Sequence, residues 1–220
     1  MKTYKIHLIR HGLTEANLEG RYCGTIDMPL CEEGREQLYD LLENYSYPYA
    51  DTVYASPLLR ARETAEILYP GCDYTAVQDL REASFGRFEG LRMADLKDDE
   101  EFAKWLVPGA EYTPPGVEPA KAFYLRCRMG MIQIVDDMMR RGISAAAVVT
   151  HAGVISAIMA SLVYPQRSFY DWNCEAGRGF TLRADPSLFL REPVLEFVGE
   201  IPSPEASSDP DDDPYDAFEY

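Results

Sequence analysis

Two of the three histidines in this 220-residue chain stand in matching settings. His11 follows the apolar pair Leu8-Ile9 and Arg10 and precedes Gly12. His151 follows the apolar run 145–150 and precedes Ala152-Gly153. A neutral imidazole can attack phosphorus through a ring nitrogen and is regenerated when water removes the phosphoryl group. Arginines grip phosphoryl oxygens with planar forks, each charge-assisted contact being worth about 1.5–3 kcal/mol. Gly12 and Gly153 would let phosphate approach backbone N–H groups at helix starts. A leaving alkoxide needs a proton, which the carboxylic acid of Glu82 can deliver.

Blander readings stand beside these. A strand-end histidine can simply cap a turn, Arg60 reads as a surface helix residue, and composition gives Glu82 no distinction. His7 reads as a packed or hydrogen-bonded strand residue. Histidines four apart converge on a metal only on a helix, and His7 and His11 straddle strand and turn. Neither a metal nor a cofactor is therefore expected.

Positioning such residues takes alternating strands and helices. Residues 3–9 read as a strand turning at 10–13, and 32–45 as a helix with Leu38, Leu41, Leu42 and Tyr45 on one side. A brief strand at 52–55 leads to a helix at 59–68, stopped by Pro70-Gly71. Residues 79–90 are polar and glycine-punctuated, as in a functional loop. Residues 92–118, interrupted by Pro108-Gly109 and Pro114-Pro115-Gly116, read as irregular or weakly helical and could form a lid or side wall. A helix at 118–141 closes at Gly142. The unbroken apolar run 145–150 predicts a strand covered on both faces. A helix at 154–163 and strands at 179–183 and 194–198 follow. The expected fold is α/β, a three-layer α/β/α sandwich with a mostly parallel central sheet. Ligands in such folds bind beyond the carboxyl ends of the strands, where His11, Ser56 and His151 would fall.

Composition narrows the class. The formal charge is −16, and residues 201–220 hold seven acidic residues and no basic one. That balance argues against nucleic acid as the main partner. Five cysteines, an odd number without a CxxC pair, read as reduced thiols, which implies a cytoplasmic protein. Neither a signal peptide nor a spanning segment is expected, so no membrane partner is either. Residues 1–200 are expected to form one domain, with 92–119 as its side wall. Residues 201–220 are expected to be a disordered acidic tail whose Tyr215, Phe218 and Tyr220 could dock. A homodimer is left open.

The same residues carry a resemblance. Arg10-His11-Gly12 with Thr14 and Asn17 resembles the signature opening of the histidine phosphatase superfamily, which has the phosphoglycerate mutase-like fold. The match continues through Arg21, Gly24, Asp27-Met28-Pro29-Leu30 and Glu33-Gly34. It resumes at Ser56-Pro57-Leu58-Leu59-Arg60-Ala61 with Thr64-Ala65, at Leu80-Arg81-Glu82 with Phe85-Gly86 and Glu89-Gly90, and at Thr150-His151-Ala152-Gly153-Val154-Ile155. The blocks lie in family order over residues 4–156. The resemblance implies that His11 is the phosphorylated nucleophile, with Arg10, Arg60 and His151 forming the phosphate pocket. Asn17 would support that pocket, Glu82 would donate the proton, and a small phosphorylated metabolite would be the substrate. Ala152 departs from the pattern, since many members have a second glycine there.

Phosphoglycerate mutases of this family carry a longer insertion before the second histidine. The separation of Glu82 and His151 by 69 positions resembles the compact phosphatase branch. Residues 21–30 resemble the α-ribazole phosphatases of cobalamin synthesis, which would make α-ribazole 5′-phosphate a candidate substrate. Arg21, Thr25, Arg87 and Trp105 are candidate substrate-wall residues. Trp105 and Tyr112 could stack on a ring, although covering the core is the safer reading. A mutase working through phosphorylated His11 and a non-catalytic phospholigand-binding protein are the alternatives.

Overall fold

Alternate side chains of a strand point to opposite faces, and the first strand is apolar on both. This strand, β1 (Tyr4–Arg10), sends Ile6 and Leu8 into one hydrophobic core and Ile9 into another. A helical turn, α1 (Glu15–Leu18), follows, closed by a capping box between Thr14 and Asn17. Next come α2 (Glu32–Asn44), the two-residue β2 (Tyr45–Ser46), β3 (Thr52–Ala55), α3 (Leu59–Leu68) and β4 (Tyr74–Ala76). Two short helices, α4 (Met93–Leu96) and α5 (Glu100–Trp105), precede the long α6 (Ala120–Arg141). The chain continues through β5 (Ala145–Thr150), α7 (Ala152–Leu162), β6 (Val163–Tyr164), β7 (Gly179–Ala184), α8 (Pro186–Phe189), β8 (Leu195–Ile201) and β9 (Ser203–Pro204). This is a computed structural model that describes residues 3–107 and 112–204.

Among the described residues, seven strands form one sheet in the order β4-β3-β5-β1-β7-β8-β6. Four of its six pairings are parallel; β7 runs antiparallel to both of its neighbours. Helices α6 and α7 cover one face, burying Met131, Ile134, Ile155 and Ile158 against Leu8, Val148 and Leu182. Helices α2 and α3 cover the other, where Leu38, Ala61, Ala65 and Leu68 meet Ile9, Val53 and Val149. Each fully buried Leu, Ile or Val side chain contributes about 1.5–3 kcal/mol, so both layers fasten the central strands. The expected three-layer sandwich is the observed one.

Register decides where the chemistry falls. Arg10 pairs with Thr150, so His11 and His151 leave the sheet side by side. Ala55 pairs with Val149, which brings Ser56 to the same edge. β4 runs alongside β3 and delivers the chain to Glu82 on that edge through a 3-10 turn at Gln78–Leu80.

Several expectations need correction. The edge strand β4 is absent from the sequence reading, being only three residues long. The last large strand runs on to Ile201, which is 2% exposed, and β9 pairs with β2. Residues 201–204, which the expected tail included, belong instead to the folded sheets, because apolar Ile201 is part of the core. Residues 205–220, with Tyr215, Phe218 and Tyr220, lie outside the described residues, as does Pro108-Gly109. The side wall is more regular than expected. Phe88, Leu96, Phe102 and Val117 form a separate small core, with Tyr22, Phe85 and Trp105 packed against it.

Candidate active site

His11 sits one residue beyond β1, 5% exposed, with its backbone N–H bonded to the Thr150 carbonyl at 2.9 Å. Its Nδ1 lies 2.6 Å from the Gly12 carbonyl oxygen. A carbonyl can only accept, so Nδ1 carries the proton and Nε2 presents its lone pair. Arg60 Nε donates to that Nε2 at 3.3 Å. Burial, reinforced by the Arg60 and Arg10 charges, holds the His11 pKa well below its ordinary value of 6.5. The imidazole is neutral at physiological pH, as a nitrogen nucleophile must be. Gly12 N–H donates to Thr64 Oγ1 at 2.9 Å, and Thr64 donates to the Arg60 carbonyl at 2.7 Å, tying the turn to α3.

His151 is the N-cap of α7 and fully buried, with its ring centroid 5.1 Å from that of His11 at an interplanar angle of 63°. Its Nε2 lies 2.7 Å from Ser56 Oγ, a hydroxyl able to donate or accept. Burial, then the charge of Arg60, drives its pKa well below 6.5 as well.

Arg60 corrects the surface reading of its helix position: it is 1% exposed. Its guanidinium donates to the carbonyls of Gly24 at 2.8 Å and Ile26 at 2.9 Å, besides His11. Arg10 donates through Nη1 to the Cys174 carbonyl at 2.7 Å. Neither set of bonds includes a carboxylate, so two cations meet the imidazoles with no formal counter-charge in direct contact. Arg10 Nε and His151 Nδ1 are buried without a hydrogen-bond partner among the described residues. Buried polar groups are rarely left so, and an oxyanion would satisfy the charge and the Arg10 donor, and His151 Nδ1 as well in the tautomer that protonates it.

Glu82 is 9% exposed and accepts from Ala83 N–H at 2.9 Å and Gly153 N–H at 3.1 Å. Burial raises its pKa above the ordinary 4.5, while those two N–H bonds and the charges of Arg60 and Arg126 pull the other way. The carboxyl thus sits at the start of α7, one residue from the His151 cap. An acid kept protonated further up the pH scale, beside a neutral imidazole, is the pairing that proton donation to a leaving group requires.

The remaining expected residues have other partners. Asn17 uses its Oδ1 for Thr14 N–H at 3.1 Å and the Thr14 hydroxyl at 3.0 Å, which leaves its amide N–H groups as donors. Arg21 bonds to the Gly90 carbonyl at 2.8 Å and pairs with Glu19. Thr25 gives both its N–H and its hydroxyl to Glu89 Oε1, at 2.9 and 2.7 Å. Arg21 and Thr25 therefore lace the 21–26 loop to the end of residues 79–90, the acid loop that carries Glu82. Arg87 is engaged by Asp99 at 2.7 Å and Glu101 at 2.8 Å, on the outside of the wall. Trp105 stacks on Phe88 with centroids 5.6 Å apart, so the core-covering reading describes it. Tyr112 donates to Glu101 at 2.7 Å. His7 is buried, bonded through Nδ1 to Thr181 at 2.9 Å, and lowered by burial to a pKa of about 4.

Two further residues brace the site: Glu89, which the sequence reading named only within the family match and gave no role, and Arg126, which it did not single out. Glu89 binds the 25–26 backbone, and Arg126 of α6 binds the backbone beside Glu82. Both act on carbonyls or amides of distant loops, a relation without periodic signature.

Such a pair of neutral imidazoles beside unneutralised arginines and a buried carboxylic acid defines a histidine-type phosphomonoesterase acting on a small phosphoester. The sequence model of the histidine phosphatase superfamily (branch 1) matches residues 6–185, and the chain belongs to that superfamily. It is 31% identical over 180 residues to an adenosylcobalamin/alpha-ribazole phosphatase of Salmonella typhimurium, covering 79% of this chain and 87% of that one. It is also 31% identical over 163 residues to 2,3-bisphosphoglycerate-dependent phosphoglycerate mutase 2 of Gloeobacter violaceus, covering 70% and 74%. The solved alpha-ribazole phosphatase of Shigella flexneri superposes with a TM-score of 0.73 at 24% identity, over 88% of this chain and 94% of that one, which shows the fold. Among the described residues, no helix is long and apolar enough to cross a membrane.

Proposed function

We propose that the protein hydrolyses a small phosphomonoester in two steps through a phosphohistidine at His11, with α-ribazole 5′-phosphate the first substrate to try. His11 Nε2 attacks phosphorus, the P–N bond forms, and the P–O bond to the leaving group breaks as Glu82 gives its proton to the departing oxygen. Arg10, Arg60 and His151 hold the phosphoryl oxygens throughout. Water then attacks phosphorus while the Glu82 carboxylate takes its proton. The P–N bond breaks, phosphate leaves, and both residues return to their starting states.

The observation that carries this reading is the fixed tautomer of His11. A 2.6 Å bond to Gly12 holds Nδ1 protonated and leaves Nε2 unprotonated, its lone pair turned towards the guanidinium of Arg60. The same Gly12 carbonyl would stabilise the positive ring that forms when Nε2 is phosphorylated. The substrate assignment draws on the Salmonella relative and on the 21–30 segment. Hydrolysis is favoured over mutase chemistry by the short 69-position span from Glu82 to His151.

Phosphate release should be measured with α-ribazole 5′-phosphate, phosphoserine, sugar phosphates and nucleotides, alongside interconversion of 2- and 3-phosphoglycerate. The expected result is hydrolysis insensitive to EDTA, with the highest kcat/KM on α-ribazole 5′-phosphate. Interconversion exceeding hydrolysis would make the protein a mutase. No turnover of any ester, with tight phosphate binding, would make it a binding protein.

A further inference from the structure

The four residues 79–82, ending at the buried carboxyl of Glu82, have no regular secondary structure of their own beyond one 3-10 turn, yet all four of their carbonyls are bonded by side chains. Thr150 Oγ1 donates to Leu80 at 2.8 Å. The other three belong to one guanidinium: Arg126 reaches Asp79 at 2.9 Å, Arg81 at 2.6 Å and Glu82 at 3.2 Å. Its remaining edge grips both carboxylate oxygens of Glu118, at 2.8 and 2.7 Å, and its face lies over Phe123, 5.0 Å from the ring centroid. One turn further along α6, Gly130 lets the loop close on the helix, since a Cβ there would stand 2.8 Å from Asp79 Cβ. Arg126 thus holds a loop of chain against α6 and touches no part of the anion pocket.

From this geometry we infer that Arg126, oriented by Glu118, is a positioning residue that sets the carboxyl of Glu82 for proton donation. This rests on the reading of Glu82 as the acid. The physical argument is that a carboxyl on an irregular loop has no helix or sheet ladder to fix it. A single arginine with five N–H donors can replace such a ladder, where a lysine, a point charge, cannot. Displacement of a reacting group by about 1 Å can cost about 100-fold in rate. Glu118 also carries the coupling outward. Its N–H donates to the Ser84 carbonyl at 2.8 Å, and Ser84 Oγ donates to Gly116 at 2.8 Å, so the clasp joins the acid loop to the base of the substrate wall.

The test compares benzyl phosphate, whose alkoxide leaving group needs a proton, with 4-nitrophenyl phosphate, whose phenolate does not. Arg126→Ala and Arg126→Lys should lose about 10- to 100-fold in kcat/KM on benzyl phosphate and less than about 3-fold on 4-nitrophenyl phosphate. Added guanidinium at millimolar concentration should restore part of the loss in Arg126→Ala. Glu118→Gln, which keeps the arginine, should show the same pattern at smaller size and serves if the first variants fold poorly. Equal losses on both esters in Glu118→Gln and in any folded Arg126 variant, or unchanged rates, would overturn the inference. Glu82→Gln run in parallel separates the premises. If it too loses equally on both esters, Glu82 is not the acid, and the role of Arg126 falls with it.

Discussion

A Cβ placed on Gly153 would stand 2.6 Å from Oε1 of Glu82, so the buried carboxyl occupies the space a side chain would need. Glycine at 153 makes room for the acid at the start of α7, and the backbone N–H of the same residue holds it. Gly153→Ala should displace the carboxyl and lower kcat/KM about 10- to 100-fold on alkyl phosphates, with little effect on 4-nitrophenyl phosphate. Steady-state rates on the two esters check this. A wild-type rate on the alkyl ester would remove Glu82 from its assigned place. Ala152, the neighbouring departure from the family pattern, is half-buried and has no such conflict, so Ala152→Gly should leave the rates nearly unchanged.

His11→Ala should abolish turnover, with a loss of at least about 1,000-fold, while the far-ultraviolet spectrum and melting transition stay native. Rapid acid-free quenching of wild-type enzyme with labelled ester should trap one phosphoryl group on His11. A folded variant that turns over at a tenth of the normal rate would exclude the phosphohistidine route.

The pH profile follows from two shifted groups. His11 must be neutral, and its pKa lies well below 6.5; Glu82 must be protonated, and its pKa lies above 4.5. kcat/KM should therefore persist into mildly acidic solution and fall about tenfold per unit as pH rises through the raised Glu82 pKa. Glu82→Gln should erase that alkaline limb. Stability responds with opposite signs. The lowered imidazoles withdraw stability as pH falls below 6.5 towards their folded values. The raised Glu82 contributes stability below 4.5 that is lost as pH rises through its folded pKa. Melting temperatures from pH 4 to 8 in Glu82→Gln and wild type separate the two contributions.

Arg60→Lys should be a severe substitution. A lysine cannot serve His11 and the carbonyls of Gly24 and Ile26 at once, and each buried acceptor left unpaired costs about 1–3 kcal/mol. Orthophosphate at 100 times its Kd should stabilise wild type by about 2.7 kcal/mol, or roughly 5–11 °C in Tm. The variant should show less than about half of that rise. An equal rise would mean that phosphate binds elsewhere.

Elements with strong local patterns were readable from sequence. The apolar run ending at Thr150, the strand at Thr52–Ala55 and the helix at Leu59–Leu68 stand where the periodicity puts them, because both faces of the sheet are covered and burial dictates residue type. The two-residue bridges and β4 were not readable, since strands that short carry no alternation. Arg60 shows the limit at a single residue. A lone arginine in a helix pattern reads as solvent-facing; the family resemblance put it in the phosphate pocket, and the fold adds the two carbonyls and the imidazole that hold it. Arg87 fails the other way: its wall position reads as substrate-facing, yet Asp99 and Glu101 hold it outside. Glu118 and Arg126, eight apart across a helix start, share no face that sequence periodicity would flag.

The strand that leads to His11 is made well before the strands that complete it. Ile6 pairs with Ala146 on one side and with Leu182 on the other, so β1 has no sheet neighbour until the ribosome has passed β5, and is flanked on both sides only after β7. Such long-range pairing is slow because wide loops must close before any ladder bond rewards them. During synthesis, Arg10 and His11 wait on an unpaired, apolar strand, the part of the nascent chain most open to mispairing. The Gly12 carbonyl that fixes the tautomer is local, but the burial that holds the imidazole pKa down comes only as the sheet closes around it. Hydrolytic competence thus waits for β5 and His151, and a chain terminated before them would carry the nucleophile without its chemistry.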